Sequence, residues 1–257
     1  MWGESDLRIP KSHPRYESLV TRERLVEGFK KGIVVPQGLI AHGRGEAFDY
    51  LLGERTVPPA EKAIKAAASL LLLSERPVIS VNGNLAALCP EYVVELSDLI
   101  GAKIEVNLFH WSSERARRIA EHLREFGAKE VLGLGCKEKI KGLESYRGLV
   151  DPKGIGSADT VLVSIEDGDR TEFLKKSGKR VIAIDLNPLS RTSLVADITI
   201  VDNVVRALPK IIEEVKKMRG LSRNELSAFL DEFDNFGELG ECLEIIKKRA
   251  MEVPQNE

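Results

Sequence analysis

Residues 160–201 read TVLVSIEDGDRTEFLKKSGKRVIAIDLNPLSRTSLVADITIV. Three short, β-branched apolar runs stand in this stretch: Thr160–Ile165, Lys179–Ile184 and Asp197–Val201. Each is nearly continuous in apolar residues rather than alternating, which is the pattern of a strand covered on both faces. The pattern recurs upstream at Val78–Val81, Lys103–Val106 and Glu130–Leu134, with amphipathic runs such as Ser112–Phe126 between them. Strand–helix–strand alternation demands right-handed crossovers, so residues 74–220 are expected to form a doubly wound α/β core around a mainly parallel sheet. Ligands of such sheets lie beyond the carboxyl ends of the strands. The segments following each run are therefore where chemistry is sought.

The flanks read as helical additions to that core, the whole chain 1–257 forming one α/β domain. In residues 1–73, Leu19, Leu25, Val26 and Phe29 keep helical spacing, and Gly32 can end that helix. Further helices are expected from Glu46 to Leu52 and, opened by Pro58-Pro59, from Ala60 to Leu73. The intervening IVVPQGLIAHGRG, residues 33–45, reads as non-helical because of its proline and glycines. Residues 221–257 suggest two helices parted near Gly237 or Gly240, with a frayed tail from Pro254.

Composition narrows the function classes. Hydrophobic residues make up 43% and charged residues 30%, which excludes a disordered chain. With 38 basic and 40 acidic residues the net charge is −2, which argues against a nucleic-acid partner. Cys89, Cys136 and Cys242 are dispersed and read as reduced thiols of a cytoplasmic protein. The start, MWGESDLRIPKSHPR, lacks the apolar centre of a secretory signal. Ala66–Leu73, the longest apolar run, is broken by Ser69 and too short to span a membrane. Few glutamines against abundant Lys and Glu is the bias of proteins from hot habitats.

Asn82-Gly83-Asn84 follows the first run, and a small, amide-rich turn of this kind suits either an anion or an ordinary helix cap. Asp185-Leu186-Asn187, with Arg191 and Thr192 downstream, offers a ribose acceptor and phosphate donors; Asp202-Asn203 ends the next run similarly. Both pairs equally suit helix capping. Glu166-Asp167-Gly168-Asp169 suits Mg²⁺, or the acid-favouring first turn of a helix, the helix reading being stronger for at least two of the three acids. Pro36-Gln37-Gly38 and His42-Gly43-Arg44-Gly45 set an arginine among glycines, and His13, Arg15, Arg22 and Arg24 add positive charge upstream. Such a cluster suits an anion pocket, although Arg24, with Glu23 and Glu27, also fits a solvated helix face.

Several chemistries are excluded. There is no GxxxxGK[ST] and no GxGxxG after the first strand, and the four histidines show no metal-ligand spacing. A nicotinamide-dependent oxidoreductase and a non-catalytic nucleotide-binding regulator remain as rival readings of a doubly wound sheet.

Taken together, IPKSHPRY (9–16), GIVVPQGLIAHGRGEAFDYLLGE (32–54), NGN (82–84), EDGDRT (166–171) and VIAIDLNPLSR (181–191) resemble the archaeal 4-phosphopantoate–β-alanine ligases, or phosphopantothenate synthetases. The resemblance covers roughly residues 5–250. It implies a homodimeric, Rossmann-like enzyme of coenzyme A synthesis that joins 4-phosphopantoate and β-alanine, using Mg²⁺ and ATP, through an acyl-adenylate. It further implies ATP-binding residues Arg22, Arg44, Asp185, Leu186, Asn187, Arg191, Thr192, Asn203 and Val204. Substrate-binding residues would be Arg15, Gln37, His42 and Asn84, with Arg44, Asn84 and His42 catalytic and no resident metal site.

Overall fold

A computed structural model describes residues 10–13, 15–135, 138, 139 and 148–252. The N-terminal stretch up to Ile9, Pro14, Cys136 and the tail from Val253 lie outside the described residues. Three helices come first: α1 (Tyr16–Lys30), α2 (Pro36–Leu52) and α3 (Pro58–Leu73). The core then alternates β1 (Pro77–Val81), α4 (Gly83–Leu88), α5 (Pro90–Ile100), β2 (Lys103–Val106), α6 (Ser113–Glu125) and β3 (Val131–Leu132). A two-stranded antiparallel pair, β4 (Glu138–Lys139) and β5 (Leu149–Val150), interrupts it. The alternation resumes with β6 (Thr160–Ser164), α7 (Gly168–Lys176), β7 (Arg180–Ile184), α8 (Arg191–Val195), β8 (Ile198–Ile200) and α9 (Val204–Met218). The last helices are α10 (Arg223–Asp231) and α11 (Asn235–Glu252).

The main sheet is six-stranded and entirely parallel, in the order β3-β2-β1-β6-β7-β8. Strand order reverses between β1 and β6, so the chain leaves these two neighbours in opposite directions and opens a crevice at their carboxyl ends. Asn82 Nδ2 donates to Ser164 O across that junction at 2.7 Å. The strands foreseen in the sequence are all present, Lys103–Val106 with both ends as expected and the others with ends moved by at most two residues; β3 keeps only two.

Burial on the two sheet faces is unequal. One face, with Ile79, Val81, Ile104, Ile182 and Ile200, packs against the alanine- and leucine-rich side of α3 and against α9. The smaller core on the other face holds Val78, Val161, Val163, Val181 and Leu174. This second face also buries polar groups inside strands. Glu105 of β2 is fully buried, and its two oxygens accept the Asp151 and Ile155 N–H groups at 3.1 and 2.6 Å. A near-continuous apolar run thus conceals a carboxylate that ties residues 151–155 to the sheet.

Two expectations are corrected. Residues 36–45 are not a loop but the first half of α2. Pro36 at its first turn follows the extended Val35, a favourable helix start, and tertiary contacts described below hold the glycine-rich turns that propensity disfavours. The C-terminal helices part at residues 232–234; Gly237 and Gly240 lie inside α11. Gly32, at φ +69°, does follow the end of α1 as expected. The terminal additions meet each other: α11 packs on α2 and α3, and Arg249 Nε donates to Leu51 O at 3.1 Å. Among the described residues no helix is long and apolar enough to cross a membrane.

Burial raises the Glu105 pKa to about 7, against the hydrogen bonds from Ile155 and Asp151 that favour its charged form. Its contribution to stability is therefore greatest below the ordinary glutamate range near pH 4.3 and is lost as pH rises through about 7. Glu105→Gln should flatten that decline. It should also lose about 1–3 kcal/mol in acid, because one of the two N–H groups then faces an amide NH₂. Denaturant melts between pH 4 and 9 measure both effects.

Candidate functional site

The loops leaving β1, β2, β6, β7 and β8 converge beneath α2, enclosing a cavity of about 720 Å³ at the carboxyl edge of the sheet. From α2 it is lined by Gln37, Gly38, His42, Arg44 and Phe48. The strand ends supply Asn82-Gly83-Asn84, Leu108-Phe109-His110, Ile165–Gly168, Ile184–Asn187 and Asp202–Val204, and α8 adds Arg191 and Thr192.

α2 roofs the cavity, and the side it buries carries a polar stripe, His42, Glu46 and Asp49, ending at Leu52, of which His42 lines the cavity. Asp49 is bound by Asn203 Nδ2 at 3.0 Å and pairs with Arg206, which also pairs with Asp202 at 2.7 Å. Thr56 Oγ1 donates to Asp202 at 2.7 Å. Burial pushes the Asp202 carboxyl up, while Arg206 and Thr56 favour its ionised form. The Asp202-Asn203 pair read as a nucleoside acceptor is thus largely committed to structure: Asn203 caps α9 with its oxygen and holds Asp49 with its nitrogen.

At the β1 end, Asn82 is the cap of α4, accepting the Leu85 N–H at 2.9 Å. Asn84 therefore does not cap. Its Nδ2 donates to Gly38 O at 2.8 Å, and its Oδ1 accepts no hydrogen bond among the described residues. A Cβ on Gly38 would stand 2.3 Å from that oxygen, so α2 needs glycine where it crosses Asn84.

At the β6 end, Ile165 adopts φ +47°, a costly conformation for a β-branched residue. This turn swings residues 166–168 over the crevice. Glu166 pairs with the fully buried Arg170, Asp169 pairs with Arg191, and Asp167 caps α7 through the Asp169 N–H at 3.1 Å. The second Asp167 oxygen accepts no hydrogen bond among the described residues, and no group of three or more acidic, His or Cys side chains there could hold a metal. The helix reading of this acidic run holds.

At the β7 end, Asp185 accepts from Asn187 N at 2.9 Å and Ser190 Oγ at 2.6 Å. Burial raises its pKa; Ser190, Asn187 and the charge of Arg44 oppose the rise. Thr192 Oγ1 donates to Glu166 O at 3.0 Å. Burial lowers the pKa of His42, so its imidazole is neutral near pH 7.

The cavity thus gathers Gln37, His42, Arg44, Asn84, Asp185, Leu186, Asn187, Arg191, Thr192, Asn203 and Val204. It does not gather Arg15 or Arg22. Arg15 binds Tyr50, and Arg22 forks onto Glu46 at 2.9–3.1 Å and reaches Tyr50 at 2.7 Å. Arg24 is partly exposed on α1, donating to Leu88 O at the end of α4 and facing Glu91 of α5. Sequence reasoning missed Arg115, which lines the cavity from α6, because it stands among Arg117 and Arg118 on a helix whose polar face looked merely solvated.

The profile of the phosphopantothenate/pantothenate synthetase family matches residues 59–249. A 4-phosphopantoate–β-alanine ligase of Thermococcus kodakarensis is 54% identical over 244 residues, 95% of this chain and 94% of its own. Proteins of the same name are 52% identical in Thermococcus onnurineus (97% and 96% covered) and 52% in Methanosarcina mazei (93% and 94%). By this near full-length identity, the chain belongs to the phosphopantothenate/pantothenate synthetase family.

Proposed function

We propose that the protein is a 4-phosphopantoate–β-alanine ligase of coenzyme A synthesis, forming 4'-phosphopantothenate, AMP and pyrophosphate from (R)-4-phosphopantoate, β-alanine and ATP. The observation that carries the reading is identity above one half, across nearly the whole chain, with relatives of that name. The cavity's chemistry supports it, since two anionic substrates must meet and the site offers arginines and neutral amides.

We assign the nucleoside to the β7 and β8 ends, against Asp185, Leu186, Asn187, Arg191, Thr192, Asn203 and Val204, with Arg44 toward the phosphates. Asp185 keeps acceptor capacity beyond its two loop hydrogen bonds. Phosphopantoate is assigned to the β1 end, beside Gln37, His42 and Asn84. The Asn84 Nδ2 bond to Gly38 fixes the amide so that Oδ1 can accept the substrate hydroxyl. A carboxylate oxygen of phosphopantoate attacks the α-phosphorus as the bond to pyrophosphate breaks. The amine of β-alanine then attacks the acyl carbon, AMP departs with the C–O electron pair, and a proton leaves the nitrogen. Neutral His42 is the acceptor we assign to that proton. Asp167, with one uncommitted oxygen, suits Mg²⁺ carried on the ATP phosphates, where the ion would neutralise developing charge.

Arg15 and Arg22 do not line this cavity, although Arg22 is near enough for its charge to act on His42; a part for them in ligand binding calls for their release from Tyr50 and Glu46 or for a second subunit. A homodimer accords with that, and with exposed Ile40 and Leu51, which share one outward face of α2. We place the enzyme in the cytoplasm, consistent with the buried, unbridged Cys89 and Cys242.

Incubated with ATP, Mg²⁺, 4-phosphopantoate and β-alanine, the protein should release AMP and pyrophosphate in step with amide formation. Stoichiometric ADP and phosphate would mean an acyl-phosphate route and overturn the adenylate. His42→Asn should slow amide formation by about 10²–10⁴-fold while phosphopantoate-dependent exchange of pyrophosphate into ATP continues. With the His42 pKa below its usual 6.5, the wild-type acid limb should fall below that pH. Equal loss of exchange and ligation would remove His42 from the amine step.

A further inference from the structure

Arg115 is a half-buried cation at the cavity wall with no carboxylate partner among the described residues. Its Nε donates to Ile33 O and its Nη1 to His110 O, both at 2.9 Å. These two neutral acceptors fix the guanidinium without offsetting its charge. Its Nη2 takes no hydrogen bond among the described residues and lies against Gly83, where a Cβ would stand 2.6 Å from it and 2.4 Å from Ile33 O. Glycine is thus required for the arginine to reach the turn between Asn82 and Asn84. Burial lowers the Arg115 pKa, a sign of charge held out of water, yet an arginine remains ionised. A desolvated, pre-aimed guanidinium with vacant donors is built to receive an anion.

The two cavity arginines without an ion-pair partner among the described residues lie at opposite ends. Arg44 is near enough for its charge to act on Asp185, after β7, whereas Arg115 stands by the β1 and β2 ends. In the sheet order, β2 and β7 are three strand spacings apart, roughly 14 Å. Phosphopantoate carries its anionic groups at its two ends, and only its carboxylate must reach the α-phosphorus. In-line displacement sends pyrophosphate away from that carboxylate, so the substrate's own phosphate needs a separate counter-charge. We propose that Arg115 binds the phosphate of 4-phosphopantoate and makes the enzyme select the phosphorylated acid over pantoate. This rests on the ligase reading above.

The test compares kcat/KM for 4-phosphopantoate and for unphosphorylated pantoate, each as the varied acid, in wild type, Arg115→Met and Arg115→Lys. The ratio of the two values cancels the fraction of correctly folded enzyme in a preparation. Arg115→Met should lower the ratio by about 10- to 100-fold, the loss of one charge-assisted hydrogen bond, with KM for ATP unchanged. Arg115→Lys should fall between, because it keeps the charge and loses the fork, and it supplies the ratio if Arg115→Met does not fold. An unchanged ratio in both variants overturns the proposal, as does a rise in KM for ATP with the ratio intact. Absence of any ligation by wild type would instead remove the ligase reading itself.

Discussion

The cavity depends on one buried ionic cluster, in which Arg206 of α9 binds Asp49 of α2 and Asp202 at the end of β8. Two carboxylates share one guanidinium, and Asn203 and Thr56 supply the remaining donors. Burying such charges is costly, and breaking a pair of this kind costs about 3–5 kcal/mol because a carboxylate is left without compensation. The cluster is therefore poor evidence for net stability and good evidence for position. It holds α2 over the carboxyl edge of the sheet, and Gly38, His42 and Arg44 take their places from it. At the other end of the roof, the Asn84 bond to Gly38 O makes the second attachment. Between them the helix spans the crevice opened by the reversal of strand order.

The doubly wound core was legible because its signals are local. Runs such as Thr160–Ile165 carry β-branched residues without polar alternation, and only strands covered on both faces tolerate that. The roof was not legible for the opposite reason. Residues 36–45 hold the glycines and proline of a loop, and their helix is held by partners more than 150 residues away, Asn203 and Arg206. Asp202 and Asn203 look like ligand groups for the same reason that they make a clamp, since short polar side chains at a strand end suit both. Only the position of Asp49 separates the readings. Arg115 was hidden by its neighbours on α6; its distinction is the pair of backbone acceptors, Ile33 O and His110 O, which no spacing reveals.

Charge is distributed in the site by commitment as much as by composition. Glu166, Asp169, Arg191 and Arg170 are paired among themselves, and Arg22 is spent on Glu46. Among the described residues Arg44 and Arg115 have no ion-pair partner, at opposite ends of the cavity, while Asn84 and neutral His42 sit between strand ends and roof. Such a pocket offers a cation at two places and neutral polar groups between them. The strained turn at Ile165 lies at the centre, where a sparsely allowed backbone conformation is retained only if the surrounding structure enforces it.

We place ATP and 4-phosphopantoate together between α2 and the carboxyl edge of the sheet. Amide hydrogen exchange with and without both substrates, β-alanine being omitted, tests that placement most directly. Exchange should slow in residues 36–52 together with the strand-end loops 82–85, 165–168 and 185–187. Protection elsewhere, with residues 36–52 exchanging at the unliganded rate, would contradict it.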